Sequence, residues 1–444
     1  MRIAVAGTGY VGLITGVCLA EMGHHVICTD IRKEKIQLLK TGQSPIFEPG
    51  LEPMLKNNLS NGRLAFTANP KIAYKDADII FIAVGTPENH DGTANLDYIH
   101  AAAYAIGTCI ENEVIICTKS TVPVGTNEKI KEIIQSVNPP PFKVEVVSNP
   151  EFLREGSAIL DFFNGDRIIL GTESSRAALK LEEIYLPLNI PIYKTDTRSA
   201  EMIKYASNAF LAAKISFINE IAAICEKVGA NIEDVAYGIG QDKRIGPHFL
   251  QAGLGYGGSC FPKDTKALVQ LAGNIQHQFE LLESVIKVNN RQQTLAVRKA
   301  ENVLGSLEGK RAALLGLAFK PDTDDVRGAA SLIIAKKLLE EGAFVIAYDP
   351  AAIPNARSVL GNTIEYTMDI KIALEGADFA IIATEWDEIK HLSLKVYAER
   401  MKSPVIIDGR NCYSLSDVRK HPLTYISIGR SSILHDQMTR VKSS

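Results

Sequence analysis

Arg2-Ile3-Ala4-Val5-Ala6-Gly7-Thr8-Gly9-Tyr10-Val11-Gly12 decides the fold of the N-terminal part of this chain. Arg2 to Ala6 reads as a short apolar strand, and the glycine turn after it opens a helical pattern that runs through Met22. His25 to Thr29 reads as a second strand ending at Asp30. In this context the three glycines act differently. Gly7 makes the tight turn, Gly9 lets the backbone approach a pyrophosphate, and Gly12 lets helix and strand pack closely. Phosphates would sit on the unpaired N–H groups of the helix start, where Tyr10 and Val11 lie. Asp30 is placed to accept hydrogen bonds from the adenosine ribose, which favours NAD, although Arg32 and Lys33 keep NADP open.

Outward from that turn, Ile79–Val84, Val114–Thr118 and Val144–Ser148 read as buried strands alternating with helical segments. Ligands of such a sheet bind beyond the carboxyl ends of its strands, where Thr86 and Thr121 lie; both residues could instead simply terminate strands. Asn149-Pro150-Glu151-Phe152-Leu153-Arg154-Glu155-Gly156 follows another strand end. Two carboxylates at this spacing are commonly solvated, so the residues alone leave a catalytic role open. Thr197 to Val228 is the longest helical pattern, with Ile203, Ala206, Phe210, Ala213, Phe217, Ile221 and Ile224 as its apolar positions. Lys204 and Asn208 share one face of it, either as a functional pair or as a wet surface pair.

The last third repeats the first in outline. Strands read at Arg311–Leu315, Phe344–Tyr348 (ending at Asp349, as the earlier strand ends at Asp30) and Val405–Ile407, with a helix near Ser331–Glu341. This half lacks the dinucleotide turn. Its first loop carries Lys320, Asp322, Asp324, Asp325 and Arg327, and Arg410 follows its last strand. Those cations could reach the phosphates of a different ligand, or the loop could be held by internal salt bridges. The fold class is therefore α/β: two Rossmann-like doubly wound parallel-sheet domains joined by a long central helix. The expected division is residues 1–196, 197–300 and 301–444, with a short frayed tail around Ser443.

Gly255-Tyr256-Gly257-Gly258-Ser259-Cys260-Phe261-Pro262-Lys263-Asp264 carries the chemistry. Pro262 marks a helix start, so Cys260 is expected where a loop enters a helix N-terminus. Unpaired N–H groups and the helix dipole there favour the thiolate, the nucleophilic form. Asp264 lies about one helical turn further on and can face the same cavity. A cofactor that takes hydride together with a nucleophilic thiol suggests oxidation through a covalent acyl-enzyme.

Composition excludes other classes. The 444 residues carry a net charge of -3, with no basic block or aromatic-basic interleaving, so nucleic acid is not an expected partner. No signal peptide is read, and no apolar run is read as reaching the roughly 18–20 residues of a membrane helix. Seven cysteines without paired spacing argue against a disulfide framework and for a reducing cytoplasm. Cys18, Cys28, Cys109, Cys117 and Cys225 lie in apolar runs and read as core. No metal site is read.

These motifs resemble the UDP-glucose/GDP-mannose dehydrogenase family along nearly the whole chain. The most specific pieces are Ser148–Gly156, the run from Arg244-Ile245-Gly246-Pro247 to Asp264, and Ala318-Phe319-Lys320-Pro321. The resemblance implies oxidation of the 6-hydroxymethyl group of a nucleotide sugar to a carboxylate with two NAD, here UDP-glucose to UDP-glucuronate. It implies Cys260 as nucleophile, Lys204 with Asn208 on the oxyanion, Asp264 and Thr121 on water and protons, and Glu151 in acid/base work. It places Gly7, Gly9, Tyr10, Val11, Gly12, Asp30, Lys35, Thr86, Thr121, Glu155, Lys263 and Arg327 around NAD. It places Glu151, Phe152, Leu153, Arg154, Lys204 and Asn208 on the sugar and diphosphate. Phe249, Leu250, Gln251, Ala252, Gly253 and Gly257 would wrap the nucleotide, with Lys320 and Arg410 binding from the second α/β unit. Arg244 would reach the substrate of a second subunit, which implies a homodimer through the central helix. Where the family often has an acidic residue after Arg327, this chain has Gly328, which bears on loop packing near NAD. The alternatives are a sister enzyme for GDP-mannose or a UDP-N-acetylhexosamine, a one-step hydroxy-acid dehydrogenase needing no thiol, and a non-enzymatic NAD-responsive protein.

Overall fold

The computed structural model describes residues 1–137 and 143–435, which form two compact units. The tail around Ser443 lies outside the described residues. Of the described residues, the first unit comprises those within 1–207 and 266–275, the second those within 208–265 and 276–435.

The first unit is built on an eight-stranded sheet in the order Leu64–Thr67, His25–Thr29, Arg2–Ala6, Ile79–Ile82, Ile115–Thr118, Glu145–Ser148, Ile168–Gly171, Ile192–Thr195. Strand pairs are parallel except Glu145–Ser148 with Ile168–Gly171, which meet antiparallel at Ser148 and Gly171. The sheet is thus parallel with one reversed junction, a departure from the all-parallel expectation. Helices on both sides bury both faces, so alternate residues of one strand enter different cores. Ile3 and Val5 pack with Leu13, Val17 and Phe81, whereas Ala4 and Ala6 pack with Ile80, Ile99 and Ile106. Ala6 pairs with Thr29 on one side and Ile82 on the other. The strand order reverses at Arg2–Ala6, which opens a crevice at the carboxyl ends of these strands.

The second unit holds a six-stranded parallel sheet in the order Glu365–Thr367, Phe344–Tyr348, Arg311–Leu315, Phe379–Ile382, Val405–Asp408, Thr424–Ile426. Its order mirrors that of the first sheet around the first strand. In chain order, helices Ile232–Gly240, Phe261–Asn274, Glu280–Gln292 and Leu295–Leu304 follow the central helix and precede the first strand of this sheet.

The central helix runs from Thr197 to Val228, as its periodicity predicts. By length and composition alone it is long and apolar enough to cross a membrane, contrary to the reading of the sequence. It nevertheless buries Glu201, Lys204, Asn208, Ser216 and Asn219 among partners of the fold, the pattern of a core helix. Its apolar positions also divide. Ile218, Ala222 and Cys225 are buried, while Phe210, Phe217 and Ile224, seven residues apart, are 68%, 55% and 54% exposed.

Candidate active site

In the first unit the glycine turn has the geometry its sequence predicts. Gly7 sits at φ +96°, and a Cβ there would lie 2.7 Å from the Ala83 carbonyl oxygen; one on Gly12 would lie 2.1 Å from that of Gly7. No atom would obstruct a Cβ on Gly9, so the backbone before helix Tyr10–Glu21 presents open space. Asp30 Oδ2 accepts from Thr8 N (3.1 Å) and Thr8 Oγ1 (2.7 Å), and Oδ1 accepts from Arg32 N (3.1 Å). Burial would raise the Asp30 pKa, but the N–H of Arg32, both Thr8 donors and Lys35 (3.7 Å) together hold it below the usual range. An ionised carboxylate beside an open glycine turn fits a dinucleotide with a 2′-hydroxyl. Asp30→Asn should weaken NADH binding by about 10- to 100-fold, the value of charge-assisted hydrogen bonds. NADH fluorescence titration measures this, and an unchanged dissociation constant would remove Asp30 from the cofactor site.

Polar side chains gather beyond the neighbouring strand ends. Thr86 Oγ1 donates to the Thr121 carbonyl at 3.0 Å, tying two of the loops together. Glu151 Oε1 lies 3.2 Å from Lys204 Nζ, and both side chains are 5% exposed. Glu151 Oε2 also accepts from Leu153 N at 2.5 Å. The Lys204 ammonium lies 5.1 Å from the Phe152 ring centroid, which the Arg167 guanidinium covers from 3.8 Å. The wet-surface reading of Lys204 therefore does not hold. Arg154 turns to Asp161, with Nη2 to Oδ1 at 2.6 Å and Nε to Oδ2 at 3.0 Å.

Lys119 opens the polar strand-end loop that carries Thr121, and no role is read for it from the sequence. It is buried, and its Nζ lies 5.6 Å from the Tyr185 ring centroid. Burial holds its ammonium below the usual range; Lys204 pushes the same way, and Glu151 opposes. Its only signal in the sequence is a lysine directly after a buried strand.

In the second unit Cys260 directly precedes helix Phe261–Asn274, and its carbonyl accepts the helical bond from Asp264 N at 2.8 Å. Cys260 is partly exposed, unlike Cys18, Cys28, Cys109, Cys117 and Cys225, which are buried. Burial pushes the Cys28 and Cys117 thiols up to about 12, as expected of inert core thiols. Asp264 is enclosed: Asn208 Nδ2 donates to Oδ2 at 2.6 Å, and Lys263 Nζ donates to Oδ1 at 2.5 Å.

The loop before Cys260 is held by buried amides that no motif announced. Asn289 takes Tyr256 N on Oδ1 (2.7 Å) and returns Nδ2 to the Tyr256 carbonyl (3.0 Å). Asn219 Oδ1 accepts from Gly253 N (2.9 Å), and Gln292 Nε2 donates to the Gly253 carbonyl (2.7 Å). Against the loop after strand Arg311–Leu315 the fit is close: a Cβ on Gly257 would lie 2.4 Å from the Gly328 carbonyl oxygen. Gly328 itself sits at φ +60°, which rationalises glycine after Arg327. Phe249 also takes a positive φ of 64° and packs toward Phe261, with Leu250 buried behind it. Gln251 is exposed and Ala252 half-buried.

The cations of this unit are engaged. Arg410 donates from Nε to the Ala383 carbonyl (2.8 Å) and from Nη2 to the Phe319 carbonyl (3.2 Å). Arg327 chelates Asp325, with Nη2 to Oδ2 at 2.7 Å, so part of the charged loop is an internal ion pair. Lys320 Nζ lies 5.6 Å from the Phe319 ring centroid. Arg244 folds onto Asp242 with its side chain 89% exposed. Asp349 stands at the strand end corresponding to Asp30 but serves another purpose. Fully buried, its Oδ2 accepts from Leu317 N, Ala318 N and Trp386 Nε1 at 2.7, 3.0 and 3.0 Å. The carboxylate that would receive a ribose is consumed in closing the turn, so the second sheet keeps the fold without the dinucleotide site.

Comparison with known proteins agrees with this division. Residues 1–189, 198–291 and 313–415 match in turn the NAD binding, central and UDP binding domains of the UDP-glucose/GDP-mannose dehydrogenase family. The chain belongs to that family. Its cofactor is NAD. Among its relatives, the UDP-glucose 6-dehydrogenase YwqF of Bacillus subtilis is 56% identical over 98% of this chain and 99% of its own. A UDP-glucose dehydrogenase structure from Pyrobaculum islandicum is similar with a TM-score of 0.90 and 40% identity, covering 97% of this chain and 98% of that one. A UDP-D-ManNAc dehydrogenase structure from Pyrococcus horikoshii is similar with a TM-score of 0.86 and 28% identity, covering 98% and 100%.

Proposed function

We propose that this chain is a UDP-glucose 6-dehydrogenase that forms UDP-glucuronate, using two NAD and one water per sugar. The observation that carries the chemistry is Cys260 at a helix mouth, with an enclosed Asn208–Asp264 pair behind it. The identity of the sugar rests on relatives named for UDP-glucose. The similar UDP-D-ManNAc dehydrogenase keeps a sister nucleotide sugar as the second reading.

NAD, when bound, supplies the hydride acceptor, so the sugar carbon passes from alcohol to aldehyde and later from sulfur adduct to thioester. Cys260 Sγ bonds to the aldehyde carbon, and the carbonyl oxygen becomes the oxyanion of a thiohemiacetal. Lys204 and Asn208 would stabilise that oxyanion as hydrogen-bond donors. Water then opens the thioester, releasing the carboxylate and returning the thiol. Asp264 and Thr121 orient this water and move its protons, with Glu151 as acid/base partner. Glu155, Lys263 and Arg327 complete the NAD site. Phe152 to Arg154 hold the sugar and diphosphate, and the loop Phe249–Gly253 with Gly257, Lys320 and Arg410 holds the nucleotide. A reducing compartment such as the cytoplasm keeps the thiol available. The organisation is that of a cofactor domain over 1–196, a central region over 197–300 and a nucleotide-sugar domain over 301–444.

A homodimer through the central helix completes the reading. Phe210, Phe217 and Ile224 form an exposed stripe at seven-residue spacing, the repeat by which helices pair. Arg244, whose side chain folds onto Asp242 in the single chain, would swing from it to reach the partner's substrate. Phe217→Glu should turn the dimer into monomer in sedimentation velocity; a variant that remains dimeric places the interface elsewhere. Substrate choice is tested by comparing UDP-glucose, GDP-mannose and UDP-N-acetylglucosamine at equal concentration. Turnover confined to UDP-glucose supports this reading, and turnover confined to another sugar moves the assignment to the sister enzyme.

A further inference from the structure

Tyr10 is the first residue of the helix that follows the glycine turn, and its two ends face different ways. Its backbone lies at the helix start, where phosphate would bind. Its hydroxyl accepts from Gly156 N at 2.6 Å and donates to Glu48 Oε2. Glu48 is 8% exposed and grips the same segment twice, taking Gly156 N on Oε2 at 2.7 Å and Ile159 N on Oε1 at 3.2 Å. Gly156, at φ +80°, closes the loop that begins at Glu151. That loop is fastened at its other end by Glu151, which holds Leu153 N and pairs with Lys204. A residue on the cofactor turn therefore reaches directly to the far end of the loop proposed to hold the sugar. Burial first, and then the Glu48 bond and charge, push the Tyr10 hydroxyl well above its ordinary value, so it stays a donor.

We propose that Glu48 and the Tyr10 hydroxyl are positioning residues that link the cofactor turn to the loop Glu151–Gly156, so that cofactor binding orders the sugar-binding loop. The link rests on the proposed function only in the identity of what the loop holds; the mechanical tie involves the first unit alone. A ligand that fixes the Tyr10 backbone restricts the ring, the ring restricts Gly156, and the loop loses alternatives before the sugar arrives. The second ligand then has less ordering left to supply, which is positive coupling between the two sites.

Hydrogen–deuterium exchange on the full-length protein tests the tie without any sugar. NADH should slow exchange in the peptide spanning Glu151–Ile159 of the wild type, and this response should be lost in Glu48→Gln and in Tyr10→Phe. A response that persists in both variants, or none in the wild type, overturns the proposal. Calorimetry provides the second arm, with NADH and UDP-glucose, a pair that cannot turn over. Saturating UDP-glucose should tighten NADH binding by about 5-fold or more in the wild type, at the lower end of typical coupling, and by less than about 2-fold in either variant. Equal coupling in all three proteins overturns the proposal. A wild type that shows the exchange response but does not bind UDP-glucose upholds the tie and rejects the substrate assignment. Merely loosened packing would lower the thermal midpoint, but it would not abolish a response to cofactor.

Discussion

Cys260→Ser is expected to abolish formation of the acid, by at least about 10³-fold, while nucleotide binding persists. Serine keeps the size and place of the side chain at the start of helix Phe261–Asn274. Its hydroxyl, however, is not ionised at neutral pH and adds poorly to an aldehyde. Without the sulfur adduct the second oxidation has no substrate, so any sugar that reacts stops at the aldehyde. Product analysis after prolonged incubation makes the distinction: aldehyde or no product supports the thioester route, whereas acid at the wild-type rate would remove Cys260 from the chemistry. The loop that delivers the sulfur is held by side chains remote in sequence, Asn219, Asn289 and Gln292, so the position of Cys260 is a property of the second unit as a whole.

Lys204→Met should have the second-largest effect, and it should appear in two separable ways. If Lys204 is the oxyanion donor proposed, its removal should lower kcat/KM by about 10²- to 10³-fold. Removal of the cation also leaves Glu151 buried without its partner, at a cost of about 3–5 kcal/mol in stability. A double variant, Lys204→Met with Glu151→Gln, discards the stranded charge. Its thermal midpoint should recover toward wild type while its activity does not. If activity recovers together with stability, Lys204 is a structural partner of Glu151 and the oxyanion role is wrong.

The parts of this molecule that were legible in its sequence are those governed by local rules. The glycine turn, the acid at the end of the second strand and the period of Thr197–Val228 each follow from a few neighbouring residues, and the structure reproduces them. Strands Ile168–Gly171 and Ile192–Thr195 were not legible, because segments of four residues carry little periodic signal. The matching positions of Asp30 and Asp349 show the limit of pattern alone. Both end a second strand, yet one is held beside an open turn and the other is consumed by four backbone N–H groups and the indole of Trp386. That difference depends on a residue far along the chain. Lys204 could be placed on a helix face, but whether that face was wet depended on Glu151 and Phe152, which only the tertiary fold brings together. The amides around the Cys260 loop were invisible for the same reason: a buried asparagine has no sequence signature until its backbone partner is known.

A four-electron oxidation of one sugar at one thiol is tested by the NADH formed per UDP-glucose consumed to completion. Two NADH should form for each UDP-glucose, with UDP-glucuronate as the product. One NADH per sugar would mean that the reaction ends at the aldehyde, and it would contradict the role assigned to Cys260.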